Sequence, residues 1–499
     1  MSYKNKIKLL YFSDFSLSKT GFGRAAKSLL EYLYNTGKFE IIHASMMKKE
    51  GEPDLVATPW HSIGTFPDNE NFNRTYGGNE KALHSAGYGV FLIDKIVKEV
   101  HPDVILAAQD LWGLNFLTSK PYWNKIPCIL WVTLDSLPIQ DNAYETAKKC
   151  APGNFWVWSN FAEKAMKENG CHNVKTVHPP FSIAEFYRLH KSKRLELRRK
   201  FKIDHNCWLV CDVFRNQLRK SLPNLLEGFN LFKKDNPGIN SKLLLHTCFS
   251  EGWNIVKNAD YYNVAKEDIL TTYICGQCLE YEVKQFNGEK QNCPYCKCQQ
   301  SQFTTSPRLG VSNEQLNEIY NLTDVTVIAR TSGGSEFPIY ESKLTESITL
   351  VTNYSFGEEA TEEGSGSLVL DWAPYRDLTQ NEFIKASTYP SSIAKQLSRV
   401  YRMDEPQRRK LGKTAREWTI KGYSAENVGK LIESHLLSLE LTDYDFSFES
   451  RKPNPEAQIP DIEDDVEWLK SLYKEILAMP VNESDKGLND WLEKLKKVE

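Results

Sequence analysis

A short apolar run, a turn with two glycines and the start of a helix follow one another between residues 324 and 354. The run DVTVIA predicts a short buried strand. The turn Thr-Ser-Gly-Gly-Ser contains glycines, whose backbone adopts conformations that other residues resist. PIYESKLTES then predicts the first turns of a helix, in which Pro338 suits an early position. Because the first N–H groups of a helix lack intrahelical partners, this unit predicts an anion-binding site.

Glu341 lies in the first turns of the same helix. A carboxylate is poorly suited to holding phosphate, but it can accept hydrogen bonds from ribose hydroxyls beside a bound phosphate. The alternative is that the turn only precedes a core-packing helix, with Glu341 as a solvated carboxylate near the helix N-terminus. From this stretch alone, both interpretations stay open.

A similar unit begins the chain. The run IKLLYFSDF predicts a buried strand over residues 7–15, and a helix that repeats apolar residues at helical spacing is predicted from Arg24. The pattern is typical of the first unit of a doubly wound α/β domain, with Gly21 and Gly23 at the carboxyl edge of the sheet, where ligands bind. These glycines do not form the G-x-G-x-x-G fingerprint, because Ala26 stands where its third glycine would be.

Polar residues end several strands predicted further along this first half, among them Asp110, Asp135 and His178, while Ser159 precedes a predicted helix. Polar side chains at the carboxyl ends of parallel strands are what a site in such a domain is built from. For Asp135, Ser159 and His178, a capping or turn role is the favoured interpretation. For Asp110, a capping role and a functional role both stay open.

A second α/β unit follows a basic helix predicted over residues 192–202. The run from Cys207 to Phe214 predicts a strand, and Arg215 and Lys220 lie in the turn before the next predicted helix. Two cations in one strand-to-helix turn can converge on a diphosphate, and Arg219 is a competing candidate in the same turn. The alternative is that these residues form a solvated basic loop. Considered alone, the sequence of this turn favours that alternative.

Four cysteines form two closely spaced pairs, Cys275-x2-Cys278 and Cys293-x2-Cys296, with fourteen residues between the pairs. Two such pairs of thiolates are typical of a tetrahedral structural zinc site of the zinc-ribbon type. Four thiolates leave no open coordination position, so the pattern predicts a structural rather than a catalytic metal. Cys298 is a spare or alternate ligand.

Length and charge limit the classes of protein to consider. The 499 residues predict two or three domains. A net charge of −3 and a pI of about 6.4 give no global basic field that would attract nucleic acid or a membrane. No apolar run approaches the roughly 20 residues that a spanning helix needs, and the N-terminus lacks the features of a signal peptide. The odd number of eleven cysteines, without a disulfide pattern, predicts a cytoplasmic protein.

Three motifs, TGFGRAAKSLL, RNQLRKSLPNLLEGF and PIYESKLTES, together resemble the retaining GT-B glycosyltransferases of family four, of phage or bacterial type. The resemblance implies an α/β fold with two Rossmann-like domains facing a cleft, to which the sequence adds a zinc-ribbon insertion and a C-terminal helical tail. The expected parts are an acceptor domain over 1–190, a nucleotide-sugar donor domain over 204–425, a zinc ribbon over 270–302, and a crossing helix with an acidic tail over 426–499. The ribbon is expected to project from the donor domain and either to brace it or to grip a large acceptor.

The resemblance also implies roles for residues on both sides of the cleft. Arg215 and Lys220 match the pair that neutralises the diphosphate of the nucleotide sugar. Gly21 and Gly23 match the loop that approaches the donor from the opposite domain, and Asp110 falls near a polar position on the acceptor side.

The sequence departs from the family pattern at one position. Glu341 matches the second glutamate of the E-x7-E motif, which holds the nucleotide ribose, but Gly333 stands where the first glutamate is expected. Glu336 is the nearest carboxylate. Either Glu336 takes that role, or the backbone N–H groups of Gly333, Gly334 and Ser335 hold the phosphate.

The resemblance therefore predicts a hexosyl- or pentosyltransferase that uses a nucleotide sugar, with UDP as the expected nucleotide, and retains the anomeric configuration without a metal at the diphosphate. The catalytic candidates are Asp110, Arg215, Lys220 and Glu336. A glycan or lipid hydroxyl is the default acceptor of the family, and a modified base in DNA is an alternative. A third hypothesis is a non-catalytic scaffold that binds nucleotide sugars.

Overall fold

The computed structural model describes residues 6–306, 308–447, 464–475 and 486–495 of the chain. Its residues form two compact units, 1–444 and 445–499. The larger unit contains two α/β halves that follow each other along the chain. Among the described helices, none combines the length and the hydrophobicity needed to cross a bilayer.

The first half is built on a sheet whose described strands are β1 (Ile7–Asp14), β2 (Phe39–Lys49), β3 (His61–Phe66), β4 (Val104–Asp110), β5 (Cys128–Thr133), β6 (Phe155–Val157) and β7 (Lys175–Thr176). They pair in the order β3-β2-β1-β4-β5-β6-β7, and every pair is parallel. The direction of the strand order reverses between β1 and β4. In sheets of this kind, ligands bind outside the carboxyl ends of the strands at that point.

The helices of the first half are α1 (Gly21–Asn35), α2 (Glu70–Tyr76), α3 (Glu80–Gly87), α4 (Ile93–Val100), α5 (Leu111–Leu114), α6 (Asp141–Lys149) and α7 (Asn160–Glu168). The first helix begins at Gly21 rather than at the predicted Arg24. The reason is that the Thr20 side chain accepts a hydrogen bond from the backbone N–H of Gly23 and so caps the helix. Ser159 caps α7 in the same way, as predicted.

The strands of the second half are β8 (Trp208–Val213), β9 (Ser241–His246), β10 (Ile269–Cys275), β11 (Tyr281–Gln285), β12 (Lys290–Gln291), β13 (Gln302–Thr304), β14 (Val325–Ile328), β15 (Ile348–Thr352), β16 (Ser367–Leu370), β17 (Trp372–Arg376) and β18 (Ile384–Thr388). The strands β10-β9-β8-β14-β15-β16 form a parallel sheet in that order. Strands β17 and β18 form an antiparallel pair, which the sequence did not predict.

The helices of the second half are α8 (Lys191–Lys200), α9 (Leu222–Asp235), α10 (Ile255–Tyr261), α11 (Asn313–Leu322), α12 (Phe337–Leu344), α13 (Gly357–Ala360), α14 (Pro390–Arg402), α15 (Glu405–Tyr423) and α16 (Ala425–Ser438). Pro338 lies in the first turn of α12, as predicted.

The cysteine-rich segment, residues 270–302, where the sequence predicts a zinc ribbon, is continuous with the second sheet. The strand β10 pairs with β9 over residues 269–271, and it pairs with β13 over residues 273–275 on its continuation. Its other edge pairs with β11. One strand therefore belongs to both the sheet and the cysteine-rich segment, so the segment is fused to the sheet and not attached through a linker.

The last helix of the larger unit returns to the first half, where the sequence predicted a crossing helix. The helix α16 packs against α1, and the hydroxyl of Tyr32 on α1 donates a 2.7 Å hydrogen bond to Glu433 on α16. Gly429 faces the Tyr32 ring. The two halves thus pack against each other through α1 and α16.

The smaller unit contains the helices α17 (Asp465–Glu475) and α18 (Lys486–Leu495), which contact each other. They correspond to two amphipathic segments of the sequence, VEWLKSLYKEILA and LNDWLEKLKKV. Most of the predicted linker RKPNPEAQIPDIEDD lies outside the described residues.

The contact between α16 and α1 predicts different effects for two glycines of neighbouring helices. A Cβ atom at Gly429 would lie 2.3 Å from Cδ1 of Tyr32, whereas a Cβ atom at Gly422 would meet no heavy atom within 4 Å. We expect Gly429→Ala to lower the free energy of unfolding by about 1–3 kcal/mol through overpacking. Gly422→Ala should leave it unchanged or raise it by up to about 1 kcal/mol. Urea denaturation measures both, and equal effects would contradict the tight packing at Gly429.

Candidate functional site

A cavity of about 610 Å³ lies between the two halves. Loops that follow the carboxyl ends of β1, β8 and β9, the loop after β13 and the first turns of α12 form its wall. It is lined by residues 16–21, 24 and 27 from the first half, and by residues 213–215, 217, 219, 220, 246–248, 305, 306, 310–313, 316, 336–338 and 341 from the second.

An ion pair between Lys220 and Glu336 is built into this wall. Lys220 Nζ lies 2.6 and 2.7 Å from the two carboxylate oxygens of Glu336, and both side chains are almost fully buried. Burial by itself raises the pKa of Glu336, but the charges of Lys220, Arg330 and Arg219 outweigh it and lower this pKa to about 2. Burial lowers the pKa of Lys220 to about 7, although Glu336 opposes this shift. A second anion beside Lys220 would therefore favour its charged form.

A second buried ion pair, between Arg330 and Asp212, also contacts Glu336 through Arg330. Arg330 Nε lies 3.4 Å from Glu336 Oε2, and the two terminal nitrogens of Arg330 lie 2.9 and 2.6 Å from the carboxylate oxygens of Asp212. Burial opposes the charge of Arg330, but Asp212 and Glu336 together raise its pKa, so the guanidinium stays charged. This pair was not predicted from the sequence. The sequence feature that could have indicated it is a charged residue at each of two apolar runs. Asp212 lies inside one run and Arg330 directly follows another, and the two runs form neighbouring strands.

Glu341 is buried beneath the cavity and is only 1% exposed. One carboxylate oxygen accepts a hydrogen bond from Arg24 of α1, and the other accepts one of 2.7 Å from the hydroxyl of Tyr320. The guanidinium carbon of Arg24 lies 5.6 Å from the centre of the Phe337 ring. The alternative of a solvated carboxylate is therefore wrong, because Glu341 has defined partners from both halves of the protein.

Arg215 lies at the exposed side of the cavity. Its side chain is 56% exposed, and its Nε atom is 3.1 Å from a carboxylate oxygen of Glu251. Exposed ion pairs contribute little to stability. Arg215 can therefore exchange this partner for an anionic ligand at little cost.

Two buried hydroxyl groups in the cavity wall lack partners. Ser16 and Thr247 are 1% and 2% exposed, and neither hydroxyl has a hydrogen-bond partner within the part of the chain that the structure describes. Both residues line the cavity. Because buried polar groups are usually satisfied, these two hydroxyls are exceptions in the wall of the cavity.

The two glycines of the first loop have different surroundings. Gly21 lines the cavity, and a Cβ atom there would lie 3.4 Å from the Phe337 ring. Gly23 is outside the lining, and a Cβ atom there would lie 2.1 Å from Ser18 Oγ and 2.6 Å from the carbonyl oxygen of Phe15. Gly23 is thus needed for the close packing of the loop, whereas Gly21 leaves space in the cavity.

The turn of Gly333, Gly334 and Ser335 also lies outside the lining of the cavity. A Cβ atom at Gly334 would come within 2.6 Å of Thr133 Cβ in the first half. The backbone N–H of Gly333 donates to the hydroxyl of Ser355 at 3.4 Å. This turn therefore forms a close contact between the two halves.

Asp110 ends β4 and lies outside the cavity lining. Its carboxylate accepts a hydrogen bond from the hydroxyl of Thr133. Burial raises the pKa of Asp110, and the charge of Asp135 adds to this, whereas Thr133 and Arg219 act in the opposite direction.

The structure thus brings five of the ten predicted catalytic and donor-binding residues together in one cavity. Those that line it are Gly21, Arg215, Lys220, Glu336 and Glu341. Those that lie outside its lining are Gly23, Asp110, Gly333, Gly334 and Ser335. Arg24, Arg219, Ser16 and Thr247 are lining residues without a role in the sequence-based site, although Arg219 was a competing candidate.

The four predicted metal ligands also meet. The sulfur atoms of Cys275, Cys278, Cys293 and Cys296 all lie within 4.8 Å of one another. The Sγ–Sγ distance is 3.6 Å between Cys275 and Cys296 and 3.7 Å between Cys278 and Cys293. Thiolates around a tetrahedral zinc ion at about 2.3 Å lie roughly 3.8 Å apart, so this donor set fits zinc. Cys298 is exposed and outside the cluster.

No family model matches the sequence, and the search of curated proteins found no match. Among solved structures, a glycosyltransferase from Rickettsia africae matches with a TM-score of 0.58 and 14% identity over 88% of this chain and 100% of that one. The chain has the GT-B fold.

Two further structures with the GT-B fold match to a similar extent. Sucrose-phosphate synthase from Thermosynechococcus elongatus gives a TM-score of 0.59 and 12% identity, over 87% of this chain and 98% of that one. Anabaena HepE in complex with UDP-glucose gives a TM-score of 0.59 and 12% identity, over 87% of this chain and 100% of that one. The predicted fold class is thereby confirmed.

The buried pairs around Glu336 predict a pH-dependent loss of stability. We expect Glu336→Gln to lower the free energy of unfolding by about 3 kcal/mol at pH 7, because Lys220 and Arg330 lose a buried carboxylate. The pKa of Glu336 is lowered from 4.5 to about 2 on folding. Its stabilising effect is therefore fully present above pH 4.5 and is lost as the pH falls towards 2.

Urea denaturation of the wild type and of Glu336→Gln between pH 7 and pH 3 measures this effect. The matched control is Glu251→Gln, which removes a carboxylate from the exposed pair with Arg215 and should change stability by less than about 0.5 kcal/mol. A difference between wild type and Glu336→Gln that does not shrink below pH 4.5 would contradict the assignment.

Proposed function

We propose that this protein is a glycosyltransferase that moves a hexosyl or pentosyl group from a nucleotide-diphosphate sugar to a hydroxyl of an acceptor. The observation that carries the proposal is the cavity between the GT-B halves, which combines cations, a buried glutamate and unpartnered hydroxyls. Its volume of about 610 Å³ suits a small-molecule site. Two of the matching structures are of Anabaena HepE, one in complex with UDP and one in complex with UDP-glucose. They support UDP as the nucleotide.

The diphosphate is proposed to bind to Arg215 and Lys220. Lys220 is fixed by Glu336 and contributes a point charge, whereas the exposed Arg215 contributes a fork of N–H donors. Arg219, which is 45% exposed and also contacts Glu336, adds a third cation. Such charges stabilise the negative charge that develops on the leaving nucleotide diphosphate.

The ribose is proposed to bind to Glu341. Each carboxylate oxygen has one protein donor, either Arg24 or Tyr320. A carboxylate offers about four acceptor positions, so each oxygen can accept one further hydrogen bond from a ribose hydroxyl. The two existing contacts orient the carboxylate before the nucleotide binds.

Glu336 is proposed to take the part of the first glutamate of the family motif. The support is its double contact with Lys220, through which it positions the cation that faces the diphosphate. The alternative phosphate site, the N–H groups of Gly333, Gly334 and Ser335, has less support because these residues do not line the cavity.

We propose that transfer retains the anomeric configuration. The acceptor hydroxyl attacks the anomeric carbon on the face from which the diphosphate departs, and the bond from this carbon to the phosphate oxygen breaks. The leaving phosphate oxygen takes the proton of the hydroxyl. Asp110, at the end of β4, is proposed to accept a hydrogen bond from the acceptor hydroxyl and so to orient it.

The acceptor is proposed to be a glycan or lipid hydroxyl. The alternative of a modified DNA base has no support from the cavity or from the matching structures, so it is not part of the proposal. We further propose a cytoplasmic location, which the eleven unpaired cysteines support. The scaffold hypothesis differs from the proposal in predicting nucleotide binding without turnover.

The donor site predicts that UDP stabilises the folded protein. At one hundred times its Kd, a ligand that binds only the folded state adds about 2.7 kcal/mol of stability, which raises Tm. Arg215→Ala should weaken UDP binding by at least about 10-fold, because it removes an exposed cation without disturbing the core. The matched control is Arg409→Ala on α15, which is also exposed and should bind UDP as the wild type does. No shift in Tm with UDP would contradict the proposed donor site.

The proposed stereochemistry predicts that the α-anomer of the sugar is formed first. UDP-glucose is an α-linked donor, so hydrolysis or transfer by a retaining enzyme releases α-glucose or an α-glucoside. Proton NMR at early times distinguishes the anomers before mutarotation. Early β-product would contradict retention, and binding of UDP-glucose without any turnover would favour the scaffold hypothesis.

A further inference from the structure

The cysteine cluster and the nucleotide cavity are connected by a short hydrogen-bonded path. We propose that a metal ion bound by the four cysteines holds one wall of the cavity in shape, so that nucleotide affinity depends on the bound metal. The inference rests on the proposed function in one respect, namely that the ligand of the cavity is a nucleotide.

The chain enters and leaves the cysteine-rich segment through strands that lead to the cavity. It enters through β10, which is a strand of the second sheet, and leaves through β13. The residues after β13 then line the cavity, first Thr305 and Ser306, and then residues 310–313. A displacement of β13 would therefore move the cavity wall directly.

Each pair of cysteines lies in a metal-binding turn, the first with Cys275 and Cys278 and the second with Cys293 and Cys296. One side chain connects the first of these turns to that wall. The backbone carbonyl of Leu279, which follows the ligand Cys278, accepts a 3.0 Å hydrogen bond from Gln315 Nε2. The oxygen of the same side-chain amide, Gln315 Oε1, accepts a 3.0 Å hydrogen bond from the backbone N–H of Ser312. Ser312 lines the cavity and caps α11. A single residue thus lies between the metal-binding turn and the cavity wall.

A second path runs through Ser301. Its carbonyl oxygen accepts a 2.8 Å hydrogen bond from the N–H of Gly276, the residue after the ligand Cys275. Its hydroxyl donates a 2.9 Å hydrogen bond to the carbonyl of Cys298, in the second metal-binding turn. Ser301 precedes β13, so both metal-binding turns hold the strand that leads into the cavity wall.

The same wall is in contact with the opposite half of the protein. Lys19, in the glycine loop of the first half, donates a 2.6 Å hydrogen bond to the carbonyl oxygen of Gly310. Both residues line the cavity. A shift of the wall would therefore change the cavity on both of its sides.

The metal-binding turns themselves need an external constraint. Leu279 and Lys297, which follow the second cysteine of each pair, have φ angles of +60° and +62°. Residues other than glycine seldom adopt this left-handed conformation. Four thiolates bound to one ion would hold both turns in place, and loss of the ion would release them and the contacts that they make.

Hydrogen exchange of the full-length protein tests the connection without a nucleotide. Zinc-loaded protein is compared with protein stripped by a chelator and with stripped protein reloaded with zinc. We expect at least a 10-fold loss of amide protection at residues 309–316 on stripping, recovery on reloading, and unchanged protection in β8 and β14. Unchanged protection at residues 309–316 in the stripped protein would overturn the proposal.

Gln315→Glu tests the path with the metal still bound. Glutamate keeps the acceptor for the N–H of Ser312, because either residue completes a capping box, but it cannot donate to Leu279. We expect one zinc per chain, as in the wild type, together with reduced protection of the preceding wall residues 309–311 and UDP binding weakened by about 10-fold. The control Cys298→Ser, outside the cluster, should match the wild type in zinc content and UDP affinity.

The two proposals fail in different ways. If zinc-loaded wild type does not bind UDP, the donor site is wrong, and hydrogen exchange still decides whether the metal controls the wall. If wild type binds UDP and both the stripped protein and Gln315→Glu bind it equally well, the donor site stands and the dependence on metal is wrong.

Discussion

Four buried side chains of alternating charge, Asp212, Arg330, Glu336 and Lys220, connect the second sheet to the wall of the cavity. A buried charge without a partner costs several kcal/mol, so each member of the series fixes the position of the next. Because Asp212 lies in β8 and Arg330 follows the adjacent strand β14, the pairing of these strands determines where the series begins. The position of the cation at the proposed diphosphate site is therefore set by the sheet itself.

The two halves of the protein meet at the same residues that surround the cavity. Arg24 contacts Glu341, and Lys19 contacts Gly310, in both cases across the cleft between the halves. The turn at Gly334 adds a close backbone approach. The walls of the cavity therefore also carry contacts that hold the two halves together.

The sequence predicts the local features well. Strands and helix starts depend on nearby residues, so the apolar runs, the early helical position of Pro338 and the cap at Ser159 are correctly predicted. The cysteine cluster is also predictable, because its spacing reflects the geometry of one ion. The pair of Asp212 and Arg330 is not predictable in this way, since it depends on which distant strands become neighbours. For the same reason, the exclusion of some predicted glycines from the cavity follows from packing between the halves.

The strand β10 stands at the outer edge of the parallel sheet, and an uncovered edge strand offers its free N–H and C=O groups to other molecules. The cysteine-rich segment covers this edge of β10, because β11 pairs along residues 270–274. Cys275 and Gln302 are directly paired, so a tight turn could replace everything between them without disturbing either strand. A chain shortened in this way would keep its sheet but lose the cover of its edge. The segment that carries the metal ligands thus also supplies the strand that covers this edge of the parallel sheet.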